Sequence, residues 1–217
     1  MKHSILSVFL LGLSAIAFTG CVTTPLPKDY TQFRQHQPKS ILVLPPLNNS
    51  IEENASYSYL STVTQPLAEQ GYYVYPVAVT DAFLKENGMP TPGEMHQISL
   101  DKIEEVIGAD AVLYIVVENY GSKYQIVDSS TTVSAQASLV DVDTGIELWS
   151  RRVTTVQSSS AGSGGIAEML LAAAISQVIN SSLDAAHGVS RTNNQRMFTE
   201  AGQGLLIGPR HAEFGSE

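Results

Sequence analysis

A lone cysteine that closes an apolar run at the front of the chain decides which residues are left to fold. Ile5 to Phe18 is fourteen residues of mostly Leu, Ile, Val, Phe and Ala without a charge, preceded by Lys2 and His3 and followed by Thr19, Gly20 and Cys21. A bilayer-spanning helix needs about 20 apolar residues, so this run is too short to cross a membrane. A basic start, an apolar core and small residues at the end describe a secretory signal instead. Cys21 is the one cysteine of the 217 residues, which excludes an internal disulfide framework and a multi-cysteine zinc site. Residues 1–20 therefore fall outside the expected fold, and the rest is enough for one domain with a sizeable core.

Phe18-Thr19-Gly20-Cys21 resembles the lipobox of bacterial lipoproteins, with Phe18 standing where Leu is usual. The resemblance implies that the Cys21 thiol takes a diacylglycerol, that the signal is cut before it, and that the new amine is acylated. Several acyl chains, at roughly 0.8 kcal/mol per buried CH₂, hold a protein far more firmly than a single myristoyl group. Val22 stands where inner-membrane-retained lipoproteins of enteric bacteria carry Asp, so the expected location is the outer membrane, facing the periplasm. The covalent diacylglycerol and N-acyl chain on Cys21 are the only non-protein groups expected, with no cofactor and no metal.

Charge narrows the partners. Twelve Lys+Arg stand against 21 Asp+Glu, a net charge of −9, and removal of residues 1–20 takes away Lys2 and no acid. No stretch concentrates basic residues as phosphate-backbone binding needs, so nucleic acid is not an expected partner. Hydrophobic residues at 43% and charged ones at 15% fit neither a disordered chain nor a polytopic membrane protein.

Residues 21–39, rich in Pro, Gln and Thr, read as an extended tether reaching some 60 Å at about 3.3 Å per residue. A domain over 40–188 follows. Ile41 to Leu44, stopped by Pro45-Pro46, reads as a short buried strand. Ser50-Ile51-Glu52-Glu53 has capping-box spacing before a helix along Leu60, Val63 and Leu67, bent by Pro66 and ended near Gly71. Tyr72 to Tyr75 is a second strand, Thr80 to Glu86 a short helix, and Met89 to Gly93 an irregular loop. Ser99 caps a helix striped by Ile103, Val106 and Ile107, and Ala111 to Val117 is a central strand. Lys123 to Val127, Thr132 to Val140 and Ile146 to Val156 complete the sheet, the last two joined by the turn Asp141 to Gly145. Val133, Ala135, Ala137 and Leu139 form a small inner face suited to a covering helix. After a Ser158 to Gly165 loop, Ile166 to Ala186 is that helix, ended by His187-Gly188, and 189–217 is a mobile tail with one docked segment at Leu205 to Ile207.

Few residues carry chemistry. Gly162 to Ala167 satisfies a relaxed dinucleotide pattern, but no strand follows its helix to make a βαβ unit. Asp141, Asp143 and Gly145 suggest calcium until position 12 proves to be Arg152, which leaves a turn as the better reading. His36, His96, His187 and His211 lack metal-site spacing. No nucleophile elbow or paired-carboxylate site is evident, so an enzyme is not expected. Tyr57, Tyr59, Tyr72, Tyr73 and Tyr75 crowd one region and read either as core with hydroxyls at the rim or as a partner-binding surface.

Several segments together carry a resemblance: the lipobox, Ile41 to Ser50, Pro66 to Val74, Gly108 to Ala111 and Leu205 to Pro209. They resemble a family of Gram-negative lipoproteins of unknown function of the neisserial vaccine-candidate type. The family is similar in fold to the amino-terminal domain of TolB and to the periplasmic part of CsgG, and Asp143 to Ser150 resembles a hairpin of such proteins. The expected fold is a single α+β (or α/β) domain, a mixed sheet of five to six strands covered by three to four helices. An acyl anchor, a Pro-rich tether and a compact domain without a catalytic constellation point to a non-enzymatic lipoprotein docking to envelope partners in assembly or secretion, with CsgG-like proteins and an oligomer among the expected assemblies. The alternatives are a small-molecule or glycan-binding lipoprotein, with the Pro90 to Met95 loop and the tyrosines around a cleft, and third a periplasmic hydrolase.

Overall fold

The computed structural model describes residues 28–124, 128–160 and 182–215. The signal, Phe18, Thr19, Gly20 and Cys21, the Gly162 to Ala167 pattern, most of the Ser158 to Gly165 loop and the expected helix from Ile166 to residue 181 lie outside the described residues.

The elements in chain order are α1 (Thr31–His36), β1 (Ser40–Val43), β2 (Leu47–Asn48), α2 (Ala55–Leu60), α3 (Thr64–Glu69), β3 (Tyr73–Val74), α4 (Val77–Glu86), α5 (Pro92–Met95), α6 (Leu100–Val106), β4 (Ala111–Tyr124), β5 (Asp128–Asp141), β6 (Glu147–Ser160) and α7 (Ser182–Thr199). The six strands form one mixed sheet in the order β3-β1-β4-β5-β6, with β2 also on β4. β1 and β2 lie parallel along the same edge of β4, opposite Ala111 to Leu113 and then Val116 to Val117. Pro45-Pro46 explains the gap between them, since neither residue has an N–H for the ladder. β4, β5 and β6 are antiparallel and 14 residues each, with a bulge at Glu118 between Val117 and Asn119. The expectation of a single α+β domain with five to six strands holds.

Alternation on the sheet builds two cores. Ile41, Val43, Leu113, Ile115, Val117, Val133, Ala135, Ala137 and Leu139 face one side, under α2, α3 and α7. Leu42, Leu44 and Val112 face the other, packed with Leu84, Met95 and Ile103 from α4, α5 and α6. The small residues of β5 do receive a helix. The turn after β5 is held by Thr144, whose N–H and hydroxyl donate to Asp141 Oδ1 at 2.9 and 2.6 Å, with Gly145 at φ +71.

Five expectations need correcting. The tether over 21–39 does not run to residue 39, because α1 docks: Phe33 is buried in the first core and Tyr30 Oη donates to the Gly204 carbonyl at 2.6 Å. Burying Phe33 contributes roughly 1.5–3 kcal/mol, which sustains a helix too short to stand alone. The helix after Ser50 starts at Ala55 and breaks at residues 61–63 into α2 and α3. Ser50 Oγ accepts from Glu52 N and donates to Asn48 Oδ1 instead of capping it. Met89 to Gly93 is not wholly irregular, since Thr91 and Glu94 form a capping box that starts α5. His187-Gly188 does not end the last helix, which runs on to Thr199 and buries Val189, Met197 and Phe198 where a tail was expected. The segment expected at Lys123 to Val127 is no separate strand as far as it is described, because Lys123 and Tyr124 end β4.

Candidate functional site

The described chain starts at Lys28, whose ammonium donates to the Ser150 carbonyl and lies 5.3 Å from the centre of the Trp149 ring. Burial and the nearby Arg151 guanidinium hold this lysine below its ordinary pKa, opposed by Glu147. Glu147 is itself held low by the hydroxyls of Ser138 and Ser150. Trp149 is buried against Phe198 and donates Nε1–H to the Gln203 carbonyl at 3.0 Å. The front of the chain is thus fastened to the start of β6 and the end of α7. Cys21 precedes that point by seven residues, a span of at most about 25 Å when fully extended, less than half the reach expected from sequence.

The five tyrosines separate into different places, so they do not form one surface. Tyr59 and Tyr72 are buried, at 0% and 3% exposure, and leave the partner-surface reading. Tyr59 Oη donates to Asn193 Oδ1, Tyr72 Oη to the Leu206 carbonyl, and burial pushes the Tyr59 hydroxyl far up in pKa. Tyr73 and Tyr75 stack edge to face at 5.1 Å, with the Arg210 guanidinium 5.0 Å from the Tyr73 ring centre and Tyr75 Oη reaching the Gly108 carbonyl.

Tyr57 remains exposed and belongs to a helix surface that the sequence reading missed. Thr80 and Leu84 are the buried positions of α4. That leaves Val79 and Phe83, one turn apart, on one flank of its solvent side and Asp81 and Lys85 on the other. Lys85 Nζ pairs with Asp81 at 2.7 Å and lies 4.7 Å from the Tyr57 ring centre, while Tyr57 Oη donates to Asp81 at 3.2 Å. Val79 is 65% and Phe83 39% exposed. The missed signal was the start of the helix at Val77, which adds apolar residues beyond those an inward stripe needs.

Several polar groups elsewhere satisfy one another. On a face of β4 to β6 that no described helix covers, Arg152 pairs with Glu118 at 2.7 Å and donates to Gln136 at 3.0 Å, and Ser134 bonds Glu118 and Thr154. His36 Nδ1 lies 3.3 Å from Asp141. His96 Nε2–H donates to the Pro45 carbonyl at 3.0 Å, its ring edge-on to Tyr114, and burial lowers its pKa. The groups with shifted titration are Lys28, Asp29, Tyr59, Lys85, His96, Tyr114 and Glu147, and none lines any of the three described clefts. Among the described residues no three His, Cys, Asp or Glu side chains gather as a metal site. No described helix is long and apolar enough to cross a membrane. Pro90 to Met95 and the tyrosines do not surround a common described cleft.

Comparison with known proteins adds four findings. The family model described as "Putative lipoprotein GNA1162-like" matches residues 28–210. "Putative lipoprotein NMB1124/NMB1162" of Neisseria meningitidis serogroup B is 41% identical over 207 residues, covering 94% of this chain and 96% of that one. The crystal structure of lipoprotein GNA1162 from Neisseria meningitidis superposes with a TM-score of 0.54 at 45% identity, over 66% of this chain and all of that one. The LpoB C-terminal domain from Salmonella enterica is matched more distantly, at 20% identity and a TM-score of 0.41 over 55% of this chain and 83% of that domain.

Proposed function

This chain belongs to the GNA1162-like lipoprotein family, and from that premise we propose that it is an acylated docking protein of the cell envelope that holds its domain close to a bilayer and offers α4 to a protein partner. The anchor is the diacylglycerol and N-acyl chain at Cys21, in the outer membrane and facing the periplasm. The partner takes part in envelope assembly or secretion and presents an apolar groove to Val79 and Phe83. CsgG-like proteins remain the class that the sequence resemblance suggests, and the TolB likeness in fold likewise rests on that resemblance alone.

The observation that carries the reading is the exposed Val79–Phe83 pair on a helix whose inward face is already satisfied by Thr80 and Leu84. Scattered single apolar residues on a surface need no explanation, whereas two at helical spacing are how an amphipathic helix meets a groove. A photocrosslinker placed at Phe83 in intact cells, with a second at Gln136 on the self-paired sheet face, tests it. A discrete protein adduct at Phe83 that is lost with Val79→Glu supports docking. Free monomer from both positions under several growth conditions contradicts it.

Glycan binding loses the arrangement that motivated it, because the tyrosines are dispersed. A hydrolase has no described cleft that collects shifted ionisable groups.

A further inference from the structure

Two arginines of α7 make no ion pair with any described acid. Arg151 and Arg152 pair with Glu200 and Glu118, but among the described residues neither Arg191 nor Arg196 makes an ion pair. Arg191 Nη2 lies 3.4 Å from His187 Nε2, and Arg196 Nη1 donates to the Thr154 carbonyl at the long distance of 3.4 Å. Both side chains are exposed. They line a cleft of about 610 Å³ between α3 and α7, with Ser61, Thr62 and Gln65 opposite and Thr192 and Gln195 alongside. Spacing explains the arrangement, because Arg191 and Gln195, like Thr192 and Arg196, are one turn apart on α7.

Among the described residues the lining contains guanidinium, amide and hydroxyl groups and no carboxylate, on a chain whose net charge is −9. Gln65 Nε2 donates to Glu69 Oε1 at 2.8 Å, just outside the lining. The Thr62 hydroxyl donates to the Tyr59 carbonyl and accepts from Asn194 Nδ2, and Asn194, fully buried, keeps Oδ1 without a partner among the described residues. Neither the Thr62 hydroxyl nor Asn194 Oδ1 has a proton to offer an incoming anion, which leaves the two guanidiniums as the groups that would bind it.

We propose that the α3/α7 cleft is a binding site for a phosphate group. A carboxylate carries one negative charge, which a single guanidinium fork already balances. Two guanidiniums side by side suit an anion of about two charges with three or four oxygens, as a phosphate group is near neutral pH. The self-paired Arg152–Glu118 face offers nothing of the kind. The site uses residues separate from those of the docking surface, so either reading can fail alone.

Calorimetric titration of the full acylated chain in non-ionic micelles, at fixed ionic strength, tests this with two probes. Inorganic phosphate represents a soluble phosphorylated ligand, and glycerophosphoglycerol represents a lipid headgroup. Binding of at least one probe is expected, weakened by about tenfold or more in the R191Q/R196Q double variant, as loss of a charge-assisted hydrogen bond implies. It should be unchanged in Arg34→Gln, which lines a different cleft. Tighter binding of glycerophosphoglycerol identifies a lipid source, and equal or weaker binding a soluble one; both support the site. Heat from neither probe, or affinity that the double variant leaves intact while its melting curve matches wild type, overturns it. A double variant that does not fold is replaced by the two single variants, each expected to lose part of the affinity.

Discussion

The hydroxyl of Tyr59 donates to Oδ1 of Asn193 across 2.8 Å, joining α2 to α7 between residues 134 apart in sequence. The same amide sends Nδ2 to the carbonyls of Val133 and Val153, both at 3.1 Å, and to Thr155 Oγ1 at 3.2 Å. Both residues are fully buried. One asparagine thus ties a helix pair to two strands of the sheet at a depth where an unmatched polar group is costly.

Removing Asn193 should therefore cost more than removing the hydroxyl it receives. Tyr59→Phe leaves one acceptor unmatched and should destabilise by about 1–3 kcal/mol. Asn193→Ala strands the Tyr59 hydroxyl and opens a cavity as well, and should cost about 3–5 kcal/mol. Urea midpoints measure both, and equal losses would deny the asparagine its central place.

The carboxyl-terminal segment is strapped over a glycine. Gly71 has φ +90, and a Cβ there would come within 2.4 Å of the His211 backbone nitrogen, while Gly208 N donates to the Gln70 carbonyl at 2.7 Å and Arg210 N to the Gly71 carbonyl at 3.1 Å. Gly71→Ala should cost about 2–4 kcal/mol, combining the left-handed backbone penalty with forced displacement of the strap. Limited proteolysis should then cut beyond Leu205 faster than in wild type.

Acid should weaken the fold partly through His96. Burial holds its imidazole below the ordinary value, with the Pro45 bond opposing, so the folded state takes up a proton less readily than the unfolded chain. Its contribution is whole above the unfolded pKa of about 6.5 and is lost as pH falls through that value toward the folded one. Melting temperature should drop between about pH 7.5 and about pH 5.5, and drop less in His96→Gln. An identical pH profile for the variant would show that other groups carry the effect.

Substitution on the outer flank of α4 should separate stability from docking. Phe83→Ser leaves the buried Thr80 and Leu84 untouched, so its melting curve should stay within about 0.5 kcal/mol of wild type while the crosslinked partner is lost. Loss of stability of several times that size would make Phe83 a packing residue instead.

Strands were the readable part of the sequence, and the reasons lie in particular residues. Ile41 to Leu44 and the period-two run from Val133 to Leu139 announce themselves because apolar side chains alone decide their burial. The last helix did not, because its inward stripe beyond Ala186 includes three polar residues: Ser190, whose hydroxyl donates to the Ala186 carbonyl one turn back, and Asn193 and Asn194, whose burial is made tolerable by partners far away in sequence. Reading 189–217 as a tail also hid Arg191 and Arg196. Phe33 was hidden in the same way, since one aromatic residue among polar neighbours shows no periodicity, and α1 exists because the core beneath it accepts that ring. The tyrosines were visible as residues but not as places, for only tertiary packing sends Tyr59 inward and leaves Tyr57 out.

Metabolic labelling with a palmitate analogue, followed by membrane fractionation of wild type and Cys21→Ser, tests the central claim most directly. The account predicts label and membrane association for wild type, with a mature chain beginning at residue 21, and neither label nor cleavage at that point for the variant. Wild-type protein that carries no label and keeps its first twenty residues, or a Cys21→Ser variant labelled as strongly as wild type, would contradict it.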